Sequence, residues 1–464
     1  MSKFYLTTSI AYVNGAPHLG YALEMVQADA IARYRRQAGD DVFFLTGTDE
    51  HGAKIARVAE ATGSTPRDLV DTNAAQFRAL KDALHLSWDD FIRTSDEARH
   101  WPNVVALWNT LVAAGDIYKK TYRGLYCVGH EAFVTEKDLV DGMCRDHNAA
   151  PEVIEEENYF FRLSKYADEV KKRIVSGELT IIPQGRAKEI VNFIDHGMED
   201  ISFSRPRKDL SWGIPVPNDP TQTIYVWCDA LVNYIFPQGW WPADVHCIGK
   251  DIVRFHALYW PAMLLSAGMP LPKTLFVHGH ITVNDQKMSK TLGNVVDPFD
   301  LVKKYGADAV RYYLLREIPP TDDGDFSIEK CEARYTADLA NGLGNFAART
   351  TALATRTNST KAAVPEEVVV HAITKARETV GRKMSDYVLH EAVAAIWDLI
   401  TFGNQYINER KPWDKEVEDA DKVIAISNGL YILDAVADLL VPFLPETARK
   451  IQAGDTGMLF PRIS

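Results

Sequence analysis

From Tyr21 to Gln37 the apolar positions Leu23, Val26, Ala30 and Tyr34 recur at helical spacing, with Arg33, Arg35 and Arg36 near the end and Gly39 as a stop. Ahead of this helix, Lys3–Ser9 is rich in β-formers, and Gly15, Pro17 and Gly20 break the chain. Behind it, Val42–Thr46 is an uninterrupted apolar run, as a strand buried on both faces should be. Strand, loop, helix and strand predict a βαβ unit with a right-handed crossover, and so a parallel sheet. The rhythm breaks from Tyr118 to Tyr225, where short strand-like runs, turns and a Cys/His cluster read as an inserted module. Ile224–Trp227 and then Thr274–His278 return to strand character, as if the sheet resumes after the insertion. From Ile328 the chain is helical almost to its end, with one break at Asn358–Pro365. There is no internal repeat and no low-complexity tail.

Composition narrows this picture little. With 464 residues, 46% hydrophobic and 25% charged, the chain can bury a full core, and two or three domains are expected. No signal peptide is expected at the N-terminus, and Asp251, Arg254, Gly or Pro interrupt every apolar stretch before membrane-spanning length. The expectation is a cytoplasmic protein without membrane partners. Five cysteines, Cys127, Cys144, Cys228, Cys247 and Cys331, make no disulfide framework in so long a chain. The net charge of -12 argues weakly against a nucleic-acid partner but does not exclude one basic face.

Two motifs change the picture. Pro17-His18-Leu19-Gly20-Tyr21 lies between the first strand and the first helix, at the carboxyl edge where open α/β sheets bind ligands. Helix amides favour phosphate there, and a glycine lets a nucleotide approach the backbone. A lone His-x-Gly is more often structural. The second motif is Lys287-Met288-Ser289-Lys290-Thr291, after Asn284-Asp285. Two lysines around a serine suit a loop that clamps a triphosphate and meets charge developing on leaving pyrophosphate. A lone lysine pair would be a solvated turn, but the pairing of both motifs, roughly 270 residues apart, is highly specific.

His18-Leu19-Gly20-Tyr21 is similar to the first signature of class I aminoacyl-tRNA synthetases, and Lys287–Thr291 to the second. Within that class the chain resembles the methionyl-tRNA synthetase family, in its bacterial or organellar short form with one zinc knuckle. The matching stretches include Tyr12-Val13-Asn14-Gly15, Gly47-Thr48-Asp49-Glu50-His51-Gly52 and Trp212-Gly213-Ile214-Pro215-Val216-Pro217. Tyr225–Ala230, Gly249–Ile252, Phe255-His256 and Lys411-Pro412-Trp413 continue the match in order.

The resemblance implies an ATP-dependent methionine–tRNA ligase of protein biosynthesis. His18, Lys287 and Lys290 would be catalytic, and ATP would be bound by His18, Gly20, Tyr21, Gly249, Asp251, Lys287, Ser289 and Lys290. Ile10, Tyr12, Asp49, Trp227, Phe255 and His256 would hold methionine, with Asp49 on the ammonium group. An aromatic pocket suits a soft, polarizable thioether. Asn345, Arg349 and Trp413 would read the anticodon, as stacking planes and polar forks read single-stranded loops. Cys127, His130, Cys144 and His147 would hold a structural zinc ion, with His130 where relatives usually carry cysteine. Tyr21 stands where the class signature ordinarily has histidine, which puts the role of that position in question. Magnesium accompanies ATP in this expectation, the tRNA partner is methionine tRNA, and the protein is expected to be a monomer.

The implied fold is a Rossmann-like, doubly wound α/β catalytic domain with a zinc-bearing insertion, followed by an α-helical anticodon-binding bundle. Its expected boundaries are residues 1–117 and 226–291 for the two catalytic halves, and 118–225 for the insertion. Residues 292–327 would form the connecting segment and 328–464 the helical domain. Two rivals are a class I synthetase for another amino acid and an inactive paralogue that binds tRNA or protein. The insertion is too short for the editing module of branched-chain enzymes, and the intact lysine motif with Asp49 argues against inactivity.

Overall fold

The computed structural model describes residues 2–129, 132–134, 139–145, 148–288, 293–361 and 364–462. Seven parallel strands form the central sheet. In chain order they are β1 (Lys3–Thr8), β2 (Ala11–Tyr12), β3 (Asp41–Asp49), β4 (Asp90–Arg93), β5 (Thr180–Ile182), β6 (Val245–Gly249) and β7 (Thr274–His278). In space they run β5-β7-β6-β1-β3, with β4 beside β3 and β2 pairing with the end of β3 beyond the point where β1 stops. β1 pairs with β3 through Leu6↔Phe44 and with β6 through Leu6↔Val245, so strand order reverses between β1 and β6. β6 is buried at every position, because elements cover both faces of the sheet.

Helix α1 (Leu19–Gln37) follows β1, as the apolar spacing predicts, and starts at His18. Its first two-thirds are buried on all sides, including Glu24, Gln27 and Asp29. One face lies on β1 and β3, and another meets the helix Ala307–Arg316.

Two strand expectations need correction. Ile224 ends an antiparallel strand, Asp219–Ile224, and Val226–Ala230 is a short helix; the parallel sheet resumes at β6. The run is apolar because it is buried, and so short a run does not separate helix from strand. Conversely β5, within the span expected to be insertion, pairs with β7 through Thr180↔Thr274 and joins the main sheet. The insertion itself is built on a long antiparallel pair, Ile117–Cys127 with Glu152–Phe161. Ala132–Val134 and Ile201–Ser202 extend it on either side.

After β7 the strand Ile281–Val283 pairs with Gln286–Lys287 in a hairpin and, in parallel, with Gly324–Phe326. Helices Pro298–Tyr305 and Ala307–Arg316 lie between. The helical part begins at Ile328, passes through a π-helical stretch at Tyr335–Gly344, and continues as Asn345–Thr357. Asn358, in the left-handed conformation, ends it at the expected break. Glu367–Ser385, Leu389–Arg410, Asp419–Leu440 and Pro445–Gln452 complete the bundle. Asp419–Leu440 does reach membrane-spanning length and apolarity, against the sequence expectation. It packs through Ile426, Ile432, Leu433 and Val436 as the core helix of the bundle.

Candidate active site and helical face

Parallel strands place all their carboxyl ends on one edge. β1 leads there into Ile10, Tyr12 and His18; β3 ends at Asp49, β6 at Gly249 just before Asp251, and β7 at His278. The reversal between β1 and β6 opens the edge where doubly wound sheets bind ligands.

His18 is the N-cap of α1, and its Nδ1 accepts from the Gly20 amide at 3.1 Å. An accepting Nδ1 places the proton of a neutral imidazole on Nε2, so the outer edge of the ring is a donor. A Cβ built on Gly20 would lie 3.4 Å from Cε of Met288, so the two signature motifs meet at this point. Asn284 and Asp285, with φ of 52° and 59°, form the tight hairpin that carries the chain into Lys287. Asp325 pins that hairpin, accepting from Thr282 Oγ1 at 2.8 Å and from the Asp285 amide at 2.7 Å. The Leu19 amide reaches the Val296 carbonyl at 3.0 Å, tying α1 to the chain beyond the lysine motif. Ser289 and Lys290 lie outside the described residues.

Tyr21 faces inward. Its ring packs edge-on to Phe77 with centroids 4.9 Å apart, and its hydroxyl is 3.4 Å from Thr46 Oγ1. Burial pushes its phenol far above the ordinary range. The side chain expected at the nucleotide is therefore part of the seam between α1 and the sheet.

Among the residues expected to hold methionine, Trp227 and Phe255 stack with centroids 3.7 Å apart and planes 7° from parallel. His256 stands edge-on to Trp227, Nδ1 3.0 Å from the Ile252 carbonyl and Nε2 2.7 Å from the Tyr234 hydroxyl. A carbonyl only accepts, so Nδ1 carries the proton and Tyr234 donates to Nε2. Burial drives His256 down to about 4, which keeps it neutral at physiological pH. Tyr234, through its carbonyl, also accepts from the Tyr5 hydroxyl at 2.7 Å. Burial first, then the charges of Glu24 and Asp49, raise its own hydroxyl well above the ordinary range. Tyr12 pairs with Asp49 across β2 and β3, and the Val13 amide bonds to the Asp49 carbonyl at 3.2 Å. Ile10 packs with Tyr5, Leu45 and Ile92.

On the other side of the switch point, a Cβ on Gly249 would lie 2.9 Å from Asp251 Oδ1 and 3.6 Å from the His278 ring, so a side chain there would crowd the Asp251 carboxylate. His280 Nε2 is 3.4 Å from Asp251 Oδ1. Desolvation would raise the Asp251 carboxyl, but the hydrogen bond and charge of His280 outweigh it and hold it at about 2. Beneath them Glu24 is buried, accepting from Ser9 Oγ at 2.6 Å and from His278 Nε2 at 2.8 Å.

In the helical part, Asn345 opens its helix just after the π-helical stretch and is exposed. One turn on, Arg349 is held by Asn408 Oδ1 at 2.6 Å and Asn404 Oδ1 at 2.9 Å, with its guanidinium 5.8 Å from the Trp413 ring. Lys411 in the left-handed conformation ends the helix Leu389–Arg410 and turns the chain into Trp413, which is 50% exposed. The three expected residues thus share one face, with a large aromatic ring open to solvent.

Residues 4–147 and 133–351 match the family described as tRNA synthetases class I (M), and residues 357–456 match the anticodon binding domain of methionyl tRNA ligase. The methionine–tRNA ligase of Brucella suis is 43% identical over 473 residues, spanning 97% of this chain and 91% of its own. The chain belongs to the methionyl-tRNA synthetases. The methionine–tRNA ligase of Thermotoga maritima is 41% identical over 97% of this chain and 74% of its own. Among solved structures, Mycobacterium tuberculosis methionyl-tRNA synthetase in complex with methionyl-adenylate superposes with a TM-score of 0.91 at 39% identity, over 97% of this chain and 93% of that one. The free form of that enzyme gives 0.85 at 35% identity, over 100% and 99% of the two chains.

Two of the four expected zinc ligands of this synthetase are described. Cys127 ends the strand Ile117–Cys127, Cys144 lies in Met143–Cys144, and both are buried in one small cluster with Val134. His130 and His147 lie outside the described residues, and among the described residues no group of three or more His, Cys, Asp or Glu gathers to hold a metal. Two thiols brought together from separate strands fit half of a tetrahedral set. Sequence reading missed Glu24, His278, His280 and Tyr234 at the sheet edge, and Asn404 and Asn408 in the bundle. A helix-face Glu and a strand-end His carry no local signal, because each is made meaningful by a partner remote in sequence.

Proposed function

We propose that this protein activates L-methionine with ATP and transfers it to the 3′ end of methionine tRNA. The observation that carries this reading is the contact of the two signatures, Met288 against Gly20, on the edge where β3 ends at Asp49 and β6 ends at Gly249 just before Asp251. Methionine would lie with its ammonium at Asp49 and its thioether against Trp227 and Phe255, lined by Ile10, Tyr12 and neutral His256. ATP would lie across Gly20, with its ribose side toward Gly249 and Asp251. His18, offering Nε2–H, together with Lys287, Ser289 and Lys290, would bind the phosphates. Tyr21 is left out of that set because its side chain is spent on Phe77 and Thr46. Magnesium enters with the triphosphate as part of the substrate.

The methionine carboxylate attacks the α-phosphorus in line, forming the acyl–phosphate bond as pyrophosphate leaves. The terminal ribose hydroxyl of tRNA then attacks the acyl carbon, and AMP leaves. No side chain becomes covalently modified, so positioning and electrostatics supply the rate. Cys127, His130, Cys144 and His147 would hold a closed zinc site, which leaves no open position and serves structure.

Amino-acid-dependent ATP–pyrophosphate exchange tests this directly. Methionine should support exchange while leucine, isoleucine, valine and cysteine do not, and Lys290→Ala should reduce kcat about a hundredfold, as expected for losing one transition-state charge contact. Exchange with another amino acid would move the substrate, and tRNA binding without any exchange would make the protein a binding paralogue. For the helical face, Trp413→Ala should raise KM for tRNA about tenfold to a hundredfold, the worth of one base stacked on an aromatic ring. Exchange without tRNA should be unchanged. A wild-type KM for tRNA in that variant would remove Trp413 from the reading face.

A further inference from the structure

Asp229 lies two residues beyond Trp227 in the short helix Val226–Ala230, about 200° around its axis, so the two side chains leave on opposite sides. Trp227 meets Phe255, whereas Asp229 turns back into the protein and is 1% exposed. There its Oδ2 is 2.6 Å from His51 Nδ1 and its Oδ1 2.6 Å from His100 Nε2. His51 stands two residues after Asp49, and His100 caps the helix Trp101–Ala113. One carboxylate thereby joins the segment bearing the aromatic wall, the segment bearing the ammonium-facing acid, and a third element behind both.

The protonation states follow from geometry. Burial opposes the charge on Asp229, but His51 and His100 together hold its carboxyl below the ordinary range, so it is ionised and only accepts. Both imidazoles must therefore present N–H. His100 Nδ1 is buried with no hydrogen-bond partner among the described residues, so a second proton there would be buried unpaired. Trp101 and Trp212 flank His51 at centroid distances of 6.0 and 5.7 Å. The stretch is fastened again next door, where the Glu50 amide donates to Thr94 Oγ1 at 2.8 Å and the Gly52 amide to the Trp212 carbonyl at 3.2 Å.

We propose that Asp229, clasped by His51 and His100, is a positioning residue that fixes the gap between Asp49 and Trp227 and thereby sets the affinity for methionine. This rests on the methionine site proposed above. A buried ion with two donors adds little net stability over an apolar replacement of the same shape, but it fixes direction as well as contact. The clasp touches no substrate. It acts on the distance between the two ends of the pocket, and leaves the nucleotide side untouched.

The test is steady-state ATP–pyrophosphate exchange with methionine and ATP varied separately, in wild type, Asp229→Asn, His100→Phe and His100→Gln. Asparagine turns one acceptor into a donor facing an N–H, and phenylalanine removes one donor while keeping the ring. Both should raise KM for methionine about tenfold to a hundredfold, the effect of losing a charged hydrogen bond. KM for ATP should stay within about twofold and kcat within about threefold, the pattern of lost ground-state binding. Glutamine places an amide donor near the Nε2 position and should restore most of the methionine affinity. Unchanged KM for methionine, an equal rise in both KM values, or His100→Gln no better than His100→Phe would overturn the clasp. If Asp229→Asn does not fold, the two His100 variants decide. Wild type without methionine-dependent exchange removes the methionine reading itself and the clasp with it.

Discussion

Arg311→Met is expected to destabilise the protein by about 3–5 kcal/mol, the cost of breaking a buried ion pair from one side. Arg311 is fully buried and lies 2.8 Å from Asp29. It also donates to the carbonyls of Leu84 at 3.1 Å, Pro442 at 3.0 Å and Phe443 at 2.7 Å. Methionine fills similar volume but leaves those three carbonyls without their donor. Asp29 keeps Arg33 at 2.8 Å and the Ser87 amide and hydroxyl at 2.7 and 2.6 Å, which points to the lower part of the range. Lysine carries the charge but not the fork, so Arg311→Lys should recover only part of the loss. Burial opposes the charge on Asp29, and the charges of Arg311 and Arg33 with the Ser87 bonds outweigh it and lower its carboxyl. A depressed carboxylate stabilises the fold above its unfolded pKa of about 3.9, and that contribution is lost as pH falls through the folded value. The gap between wild type and variant should therefore narrow in strong acid. Thermal midpoints at neutral pH and in acid check both statements, and equal midpoints at neutral pH would sink the first.

That same ion pair shows where sequence reading stops. The period of Leu23, Val26, Ala30 and Tyr34 places α1 correctly, and its start at the Pro-His-Leu-Gly motif was visible too. Yet Glu24 and Asp29, which look like a solvated helix face, are both buried: Asp29 against Arg311 of the helix Ala307–Arg316, which covers one side of α1, and Glu24 at the sheet edge, where Ser9 and His278 meet it. Their partners, His278 and Arg311, stand more than 250 residues away, and no local pattern connects them. The three-residue strand β5 was hidden for a related reason: it lies between two helices of the insertion and shows its place only when paired with β7. The chemistry of the sheet edge was more legible than its packing. His18, Gly20, Asp49, Gly249 and Asp251 were named from motifs and stand together, because parallel strands deliver their ends to one edge. Tyr21 stood in the motif, but its phenol, longer than imidazole, packs against Phe77 and Thr46 inside the fold.

Asp49→Ala is expected to lower kcat/KM for methionine in exchange about a thousandfold, or ~4 kcal/mol, the range seen when one partner of a buried charge pair is truncated. Two adjacent acids end this strand, and geometry separates their tasks. Glu50 is fully buried, and its oxygens take Arg93 Nε at 2.7 Å, Arg93 Nη2 at 2.8 Å and Thr48 Oγ1 at 2.6 Å, with Ser95 Oγ as a further donor. With those donors in place, Glu50 has no direction left for a substrate ammonium. Asp49 is 7% exposed, pairs with Tyr12, and lies close enough to Tyr234 to raise its hydroxyl. A nearly buried carboxylate can fix the ammonium through a charge-assisted pair, while the stacked rings of Trp227 and Phe255 would take the thioether. Asp49→Asn keeps an acceptor without the charge and should fall between wild type and alanine. KM for ATP should move little in either variant, because the nucleotide is proposed to lie toward Gly249 and Asp251. Glu50→Gln should act differently, lowering the thermal midpoint through the Arg93 pair while methionine selectivity survives. If Asp49→Ala keeps kcat/KM for methionine within about threefold of wild type, the ammonium is held elsewhere and the pocket must be redrawn from its aromatic end.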